Sequence, residues 1–425
     1  MERVANYPVL RKLGEGATSE VFLCNDPFRG REVAVKRIFP EALRDPVRGR
    51  VFRKLFFAEA SLAGKLEHPH IAQIFDAGIG EDSGYIVMEY VPGGTMERFC
   101  APENLLPVEQ VLEIAFKCAR ALAFAHTQGV THRDIKPGNI LYSTEPTDVR
   151  IGDFGLAINL GSETTQVTGV GSPAYMSPEQ IRDEVVDHRT DLYSLGVVMY
   201  QMLAGTLPYR GSNKFSIIFQ ITQYDPPPPS SHRRDVPEAL DRIVRRAMQK
   251  DAAQRYQSGD ELAEDLIEAL RAGLGELRGE QFGDADKFAA LRGMRFFDPF
   301  ADPELWEVIK IGSWQRVSAG SALIREGEPG DFFCVVVQGE MRVTKNKKLL
   351  SVLGPGECFG EMAYLSLSGH ERGATVTASR DSRIVRVRVG DLGHASADCR
   401  SKFDRAFIGI LVERLNLANT RLTSG

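Results

Sequence analysis

The sequence has few of the residues that crosslink secreted proteins or bind zinc. Only six of its 425 residues are cysteine, and none lies in a Cys-x-x-Cys pair. This scatter predicts neither a disulfide framework nor a zinc site, and it is typical of a protein from a reducing compartment. The cysteines are Cys24, Cys100, Cys118, Cys334, Cys358 and Cys399.

Long apolar runs and a dominant charge are also missing. No run of about 18 apolar residues could span a bilayer, and the first residues lack the apolar core of a secretion signal. We therefore expect a cytoplasmic protein without a membrane span. The 52 basic and 57 acidic residues nearly balance, at a net charge of −5. This balance gives no electrostatic reason to expect binding to nucleic acid, so small molecules or proteins are the expected partners.

Two polar clusters lie on either side of a pair of short apolar segments. They read His-Arg-Asp-Ile-Lys-Pro-Gly-Asn at 132–139 and Asp-Phe-Gly at 153–155. Strands predicted at 140–142 and 149–151 place both clusters on loops that leave a small sheet, where carboxylates can converge on metal-bound phosphates. A lone Asp-Phe-Gly would more often be a solvated turn, but the joint spacing favours a phosphotransfer site.

The side chains of these clusters suit separate parts of phosphotransfer. Asp134 can accept the proton of a hydroxyl group, and Lys136 adds a positive charge near the transferred phosphoryl group. Asn139 and Asp153 offer oxygen ligands to Mg²⁺, which takes few protein ligands and keeps water or phosphate oxygens in its other positions.

These motifs resemble those of the protein kinase superfamily over about residues 7–272, and most closely the bacterial Ser/Thr kinases of the eukaryotic-like type. The resemblance implies an α+β chain with the two-lobed protein kinase fold. It also implies that ATP and Mg²⁺, with Mn²⁺ possible, are the cofactors, and that Ser or Thr hydroxyls of proteins receive the γ-phosphate. Lys136 occupies a position shared by Ser/Thr-specific members, which argues against tyrosine specificity.

A glycine-bearing hairpin near the N-terminus matches the phosphate-covering loop of that family. The resemblance assigns Gly14, Gly16 and Val21 to nucleotide binding, because small residues permit close backbone approach. Ser19 replaces the third glycine of the family pattern. Alone, such a hairpin would usually be only a hairpin.

The next predicted strand ends in Lys36, which kinases direct at the α- and β-phosphates. The predicted helix 51–66 carries Glu59 where the family has the glutamate that pairs with this lysine. The alternative for Lys36 is a solvated strand lysine. The resemblance assigns adenine binding to the linker that follows a later strand, although core packing also accounts in part for its methionine. The linker residues are Met88, Glu89 and Val91.

A polar segment at 162–168 corresponds to the activation loop of kinases. Arg133 would need an anionic partner, which a phosphorylated threonine could supply; alternatively, the segment is a solvated turn. Scaffold roles are predicted for a Glu179–Arg255 pair and for Asp191, which should brace the catalytic loop. The candidate threonines are Thr164, Thr165 and Thr168.

Glycines among charged residues mark a linker at about 273–293. We predict a kinase domain at 1–272, with lobes at about 7–90 and 91–272, and a second domain at 294–425. The second domain has brief strands separated by glycine turns, which is typical of a β-roll or barrel. We predict a jelly-roll-like β-roll. Flanking helices, including a C-terminal one, complete the prediction.

The second domain also resembles a known family, the cyclic-nucleotide-binding domains, in a segment similar to their phosphate-binding cassette. The resemblance implies that Arg372 pairs with a cyclic phosphate and that Glu361 accepts from the ribose 2′-hydroxyl. Backbone N–H groups near Gly360 and Ala363 would close the cradle. Gly373 stands where a hydroxyl residue helps to recognise guanine, which favours cyclic AMP over cyclic GMP.

Glu361 and Arg372 could instead pair with each other in a roll that binds nothing. The helix predicted at 401–422 could cap a base or form a homodimer seam, but core packing of its apolar stripe is the default. The stripe consists of Phe403, Phe407, Ile408, Ile410, Leu411 and Leu415.

The expected function is a protein-serine/threonine kinase regulated by a cyclic nucleotide. The alternative is a signalling scaffold, in which the C-terminal domain is a docking or dimerisation module and the kinase mainly autophosphorylates.

Overall fold

The computed structural model describes residues 2–16, 19–41, 64–80, 83–154, 173–274, 282–365 and 371–423. The chain divides into two compact units, Met1–Gln281 and Phe282–Gly425.

The first unit begins with an antiparallel sheet in the order β1-β2-β3-β4-β6-β5. Its strands are β1 (Arg3–Val4), β2 (Tyr7–Glu15), β3 (Ser19–Asp26), β4 (Arg31–Ile38), β5 (Ile74–Ile79) and β6 (Gly84–Glu89). Side chains alternate between the two faces of a strand. Val33 and Val35 therefore join one apolar cluster, and Ala34 and Ile38 join another with Met88. Lys36 projects from the Ala34 face.

A small sheet and a set of helices follow. The sheet contains β7 (Gly94–Thr95), β8 (Ile140–Tyr142) and β9 (Val149–Ile151), in that order. The helices are α1 (Val108–Thr127), α2 (Pro178–Ile181), α3 (Arg189–Ala204), α4 (Lys214–Gln223), α5 (Glu238–Ala247) and α6 (Gly259–Leu274). Helices α1 and α3 are buried along almost their whole length and form the centre of this part. Helix α3 ends at Gly205, whose φ of +71° suits a glycine C-cap.

The second unit is built on two four-stranded antiparallel sheets. Their orders are β10-β17-β12-β15 and β11-β16-β13-β14. The strands are β10 (Ser313–Val317), β11 (Ala322–Ile324), β12 (Phe332–Gln338), β13 (Met341–Lys345), β14 (Lys348–Leu353), β15 (Cys358–Phe359), β16 (Thr375–Ala378) and β17 (Ser382–Arg388). Inward-facing residues such as Val336, Met341 and Ile384 form one apolar core between the sheets. Turn glycines at 320, 327, 339 and 356 have positive φ, as the predicted β-roll requires.

Helices flank this roll. They are α7 (Asp284–Arg292), α8 (Asp302–Ile311), α9 (Met362–Leu365) and α10 (Ala397–Thr423). Helix α7 belongs to the second compact unit, although its residues fall in the segment predicted as a linker. The glycines that flank it produced that prediction.

The apolar stripe of α10 is only partly buried. Phe403 and Phe407 are fully buried, and their rings pack against Phe333 and Phe296. The expectation of core packing for the whole stripe is wrong, because three of its other members are exposed. They are Ile408 (58%), Leu411 (38%) and Leu415 (61%).

All six cysteines are buried and unpaired, three in each unit. Burial raises the pKa of Cys24 to about 11 and that of Cys118 to about 12. Within the described residues, no helix is both long enough and apolar enough to cross a membrane.

Candidate functional site

The loop that precedes β8 brings three predicted site residues together. Lys136 Nζ lies 2.6 Å from Asp134 Oδ2. Asn139 Nδ2 donates to the same carboxylate oxygen at 3.0 Å and to the Asp134 carbonyl at 2.7 Å. Asp134 is thus held from two directions while its side chain remains about half exposed, at 52%. An external hydroxyl can reach it.

A buried carboxylate on α3 braces this loop. Asp191 accepts hydrogen bonds from the backbone N–H groups of His132 at 2.8 Å and Arg133 at 2.6 Å, and its Oδ2 lies 2.9 Å from His126 Nε2. Arg133 adopts φ of +65°, a conformation that is unfavourable for a side chain with a Cβ atom. The bonds to Asp191 help to stabilise this strained turn, so the predicted bracing role is confirmed.

His132 links the two polar clusters. Its Nδ1 accepts from the Asp134 N–H at 3.2 Å, and its Nε2 lies 2.8 Å from the Gly152 carbonyl. A carbonyl can only accept, so the proton is on Nε2. The ring also contacts Phe154 edge-on, with centroids 4.7 Å apart. These contacts fix the position of the neighbouring Asp153 relative to the catalytic loop.

Asp153 faces the lysine from the first sheet. Lys36 Nζ lies 3.1 Å from Asp153 Oδ1, in a largely buried ion pair. Asp153 has φ of +56°, a second left-handed residue in this region. The predicted partner Glu59 and the three candidate threonines lie outside the described residues.

The two predicted metal ligands suit Mg²⁺ by their chemistry. The Asn139 amide nitrogen donates to Asp134, which leaves the amide oxygen to act as an acceptor. Asp153 contributes a carboxylate. Among the described residues there is no group of three or more His, Cys, Asp or Glu side chains that could hold a metal ion. Two oxygen ligands are nevertheless enough for Mg²⁺ when phosphate and water complete its shell.

The glycines of the first hairpin are not required by packing against the described residues. Gly14 pairs with Val21 across β2 and β3, and the Gly16 N–H donates to the Ser19 carbonyl at 2.7 Å. Among the described residues, a Cβ atom on Gly14 would meet nothing within 4 Å, and one on Gly16 nothing closer than 3.7 Å. The backbone here therefore has open space that a ligand can approach.

The predicted adenine contacts lie at the end of β6. Met88 and Val91 are buried, whereas Glu89 pairs with Arg150 through Oε1 and Nε at 2.9 Å. The Val91 N–H has no backbone acceptor among the described residues. It lies at the expected position as a donor from which no described backbone carbonyl accepts.

A buried ion pair lies farther along the first unit. Arg255 donates to Glu179 Oε1 at 2.6 Å and to Oε2 at 2.7 Å. Burial by itself would raise the pKa of Glu179, but the hydrogen bonds and positive charge of Arg255 bring it below its usual range. The predicted pair is confirmed.

In the second unit, Arg372 lies buried among backbone carbonyls. Its Nη1 donates to Gly360 O at 3.1 Å and its Nη2 to Phe332 O at 2.9 Å. Glycine is required beside it, because a Cβ on Gly330 would lie 2.0 Å from its Nε. Among the described residues, no carboxylate is hydrogen-bonded to this guanidinium.

Glu361 does not pair with Arg372. Its carboxylate instead forms a salt bridge with Arg414 of α10, which also donates to the Cys358 carbonyl at 2.7 Å. Sequence reasoning missed Arg414. A single arginine on a helix surface carries no signal of a partner 53 residues earlier.

The remaining cassette residues have different positions. The Ala363 N–H, expected to face a ligand, donates to the Gly360 carbonyl at 3.1 Å. Gly360 has φ of +78°, which favours glycine. Among the described residues, a Cβ on Gly373 would meet nothing within 4 Å.

Comparison with known proteins identifies the first unit. A family model described as the protein kinase domain matches residues 7–267, more than half of the chain. The chain belongs to the protein kinase family. This confirms the predicted α+β fold of the kinase domain. A second model, the cyclic nucleotide-binding domain, matches residues 314–397.

Bacterial kinases are among the relatives of this kinase domain. "Serine/threonine-protein kinase PknB" of Mycobacterium leprae is 40% identical over 262 residues, covering 60% of this chain and 41% of its own length. "Probable serine/threonine-protein kinase CPE1738" of Clostridium perfringens is 36% identical over 284 residues, covering 66% of this chain and 41% of its own length. This chain thus spans about two fifths of the length of the curated relatives that it matches.

A solved structure supports the fold. The crystal structure of a mutant form of the Mycobacterium tuberculosis PknI kinase domain is 30% identical with a TM-score of 0.51. The match covers 63% of this chain and 99% of that one.

Proposed function

We propose that the chain is a protein-serine/threonine kinase that transfers the γ-phosphoryl group of ATP to Ser or Thr hydroxyls of proteins. The observation that carries this proposal is the network in which Lys136 and Asn139 position Asp134, with Lys36 and Asp153 paired beside it. Each of these groups has a distinct task in phosphoryl transfer.

Asp134 orients the incoming hydroxyl group and accepts its proton as the new P–O bond forms. Lys136 stabilises charge on the phosphoryl group in transit, and Lys36 positions the nucleotide phosphates. Asn139 and Asp153 would hold Mg²⁺, which neutralises phosphate charge. The linker residues Met88, Glu89 and Val91 and the glycine hairpin enclose the nucleotide. Support comes from the Val91 N–H, which has no backbone acceptor among the described residues, and from the room that those residues leave around Gly14 and Gly16.

The second unit is proposed to bind a cyclic nucleotide and to regulate the kinase. Support comes from Arg372, a buried cation without a hydrogen-bonded carboxylate among the described residues, because a buried charge is costly unless it is neutralised. Regulation requires that the ligand bind the active and inactive forms with different affinity. Gly373 favours cyclic AMP over cyclic GMP. We also place the protein in the cytoplasm.

A second candidate function is a docking or homodimerisation module that binds no nucleotide. It is favoured by the apolar residues exposed on α10, Ile408, Leu411, Val412 and Leu415. In this case the kinase would mainly phosphorylate itself.

Phosphorylation of a generic protein substrate by the full chain with Mg·ATP distinguishes these functions. The assay is repeated with cyclic AMP and with cyclic GMP over a range of concentrations. A rate that changes with cyclic AMP supports the regulated kinase. Activity that ignores both nucleotides, together with no heat of binding in calorimetry, supports the docking module.

A further inference from the structure

Two arginines contact the same aromatic ring beside the cassette. The guanidinium carbon of Arg372 lies 4.4 Å from the ring centroid of Phe332, and that of Arg386 lies 3.6 Å from it. Cation–π attraction stabilises each contact. The shared ring brings two positive charges close together, which is unfavourable unless a nearby negative charge compensates.

Strand register explains why Arg386 points to this place. Arg386 lies opposite Cys334 in the β12–β17 pairing, and side chains directly opposite project from the same face. Cys334 belongs to the apolar core of the roll, and so does Ile384, which lies two residues before Arg386 on the same strand. Arg386 therefore occupies an inward-facing position, where its buried Nε atom has no hydrogen-bond partner in the described part of the chain.

The nearby acidic group does not compensate both charges. Glu361 forms a salt bridge with Arg414. Burial lowers the pKa of Arg372, and the positive charge of Arg386 adds to this effect, which Asp331 and Glu361 partly oppose. Neither Arg372 nor Arg386 has a hydrogen-bonded carboxylate among the described residues. Among the described residues, the cassette thus carries positive charge that no hydrogen-bonded carboxylate neutralises, and one buried N–H donor without an acceptor.

We propose that Arg386 is a second phosphate-binding residue of the cassette, acting with Arg372 on the two exocyclic oxygens of a cyclic phosphate. The proposal rests on the proposed binding of a cyclic nucleotide by the second unit. A cyclic phosphodiester has two such oxygens sharing one negative charge, so each guanidinium can donate to one of them. Charge-assisted hydrogen bonds of this type are stronger than neutral ones.

Sulfur substitution provides a test on the unmodified protein. The two phosphorothioate diastereomers of cyclic AMP replace one exocyclic oxygen each, and sulfur is a poorer acceptor. With donors on both oxygens, both diastereomers bind more weakly than cyclic AMP in calorimetry. If one diastereomer binds as tightly as cyclic AMP, only one oxygen is recognised and the proposal is overturned.

The Arg386→Gln variant sharpens the test. Loss of a charge-assisted hydrogen bond lowers the affinity for cyclic AMP by roughly tenfold to a hundredfold. The penalty for one diastereomer, and only one, should then disappear, as in a double-mutant cycle. Arg386→Lys keeps the charge and should retain an intermediate affinity. The control Arg342→Gln removes the same charge from an exposed position on β13 and should bind as the wild type does.

A structural role for Arg386 predicts a different pattern. If the arginine only stacks on Phe332, the variants melt at lower temperature but keep both diastereomer penalties unchanged. This result refutes phosphate binding by Arg386 and leaves cyclic-nucleotide binding by the second unit intact. If the wild-type chain binds neither cyclic AMP nor cyclic GMP, the proposed regulatory function is refuted, and so is the proposed phosphate binding by Arg386.

Discussion

Arg255 in the kinase domain and Arg372 in the second unit are both buried arginines, at 1% and 7% exposure, but their partners differ. Arg255 binds both carboxylate oxygens of Glu179. Arg372 donates only to the carbonyl oxygens of Gly360 and Phe332 within the described part of the chain. A buried charge without an opposite charge is costly. The first arginine is therefore neutralised within the chain, whereas the second is suited to an anion supplied from outside.

The same contrast separates the proposed catalytic aspartate from the scaffold residues of the kinase domain. Asp134 is half exposed and held by neighbours in its own loop, whereas Asp191 and Glu179 are buried and joined to backbone or arginine. The exposed carboxylate is therefore the one that a substrate can reach, and the buried carboxylates stabilise the fold.

The largest effect is expected for Asp134→Asn. The amide cannot accept the hydroxyl proton, so phosphorylation of a protein substrate should fall by at least roughly a hundredfold. The fold should be retained, because Asp134 is half exposed. Radiometric transfer from ATP measures the rate and circular dichroism measures the melting temperature. Asp148→Asn, an equally exposed change in the same domain, is the control; equal rates in the two variants would contradict the catalytic role.

The next effect concerns stability. Arg255→Gln leaves Glu179 buried without its counter-ion and should lower the free energy of unfolding by about 3–5 kcal/mol, as measured by urea denaturation. Arg242 forms an exposed pair with Glu238, so Arg242→Gln should cost about 0–1 kcal/mol. Similar losses in both variants would remove the distinction between structural and surface pairs.

Arg372→Gln should have a small effect on stability and a large effect on ligand affinity. The glutamine amide can still donate to a backbone carbonyl, so the free energy of unfolding should change by less than about 1 kcal/mol. Affinity for cyclic AMP should fall by roughly tenfold to a hundredfold, because a charged hydrogen bond is lost. Calorimetry and urea denaturation measure the two quantities. A large loss of stability with unchanged affinity would show that Arg372 is a scaffold residue like Arg255.

The smallest effect is a pH dependence that acts on one carboxyl group. The folded-state pKa of Glu179 lies below its ordinary value of 4.5, so its ionisation stabilises the fold above that value. This contribution is lost as the pH falls through the lowered pKa. Melting temperatures from pH 7 to pH 3 should show wild type and Glu179→Gln converging at the acidic end. A constant difference over this range would exclude the linkage.

Motif spacing was sufficient to predict the scaffold pairs of the kinase domain. The Glu179–Arg255 and Asp191 contacts follow from residues that the family resemblance places. The turn glycines of the roll were predictable as well, because positive φ restricts the choice of residue.

Contacts between distant segments were not predictable. Arg414 and Arg386 reach the cassette through the path of α10 and the register of β17, neither of which leaves a local pattern. The stripe on α10 was misjudged for a related reason. Helical periodicity shows that residues share one face of a helix, but it does not show how much of that face packs against the rest of the domain. Phe403 and Phe407 of the stripe contact phenylalanines that precede the roll, whereas Ile408, Leu411 and Leu415 are exposed.

The six buried cysteines, three in each unit, allow unfolding to be followed by counting the thiols that become accessible. A thiol-reactive dye should label the native protein slowly, because each sulfur is inaccessible and burial disfavours its thiolate form. As denaturant is added, labelling should rise toward six sulfurs per chain. A plateau at three would show that one unit opens while the other stays folded, and mass spectrometry of the labelled peptides would identify it.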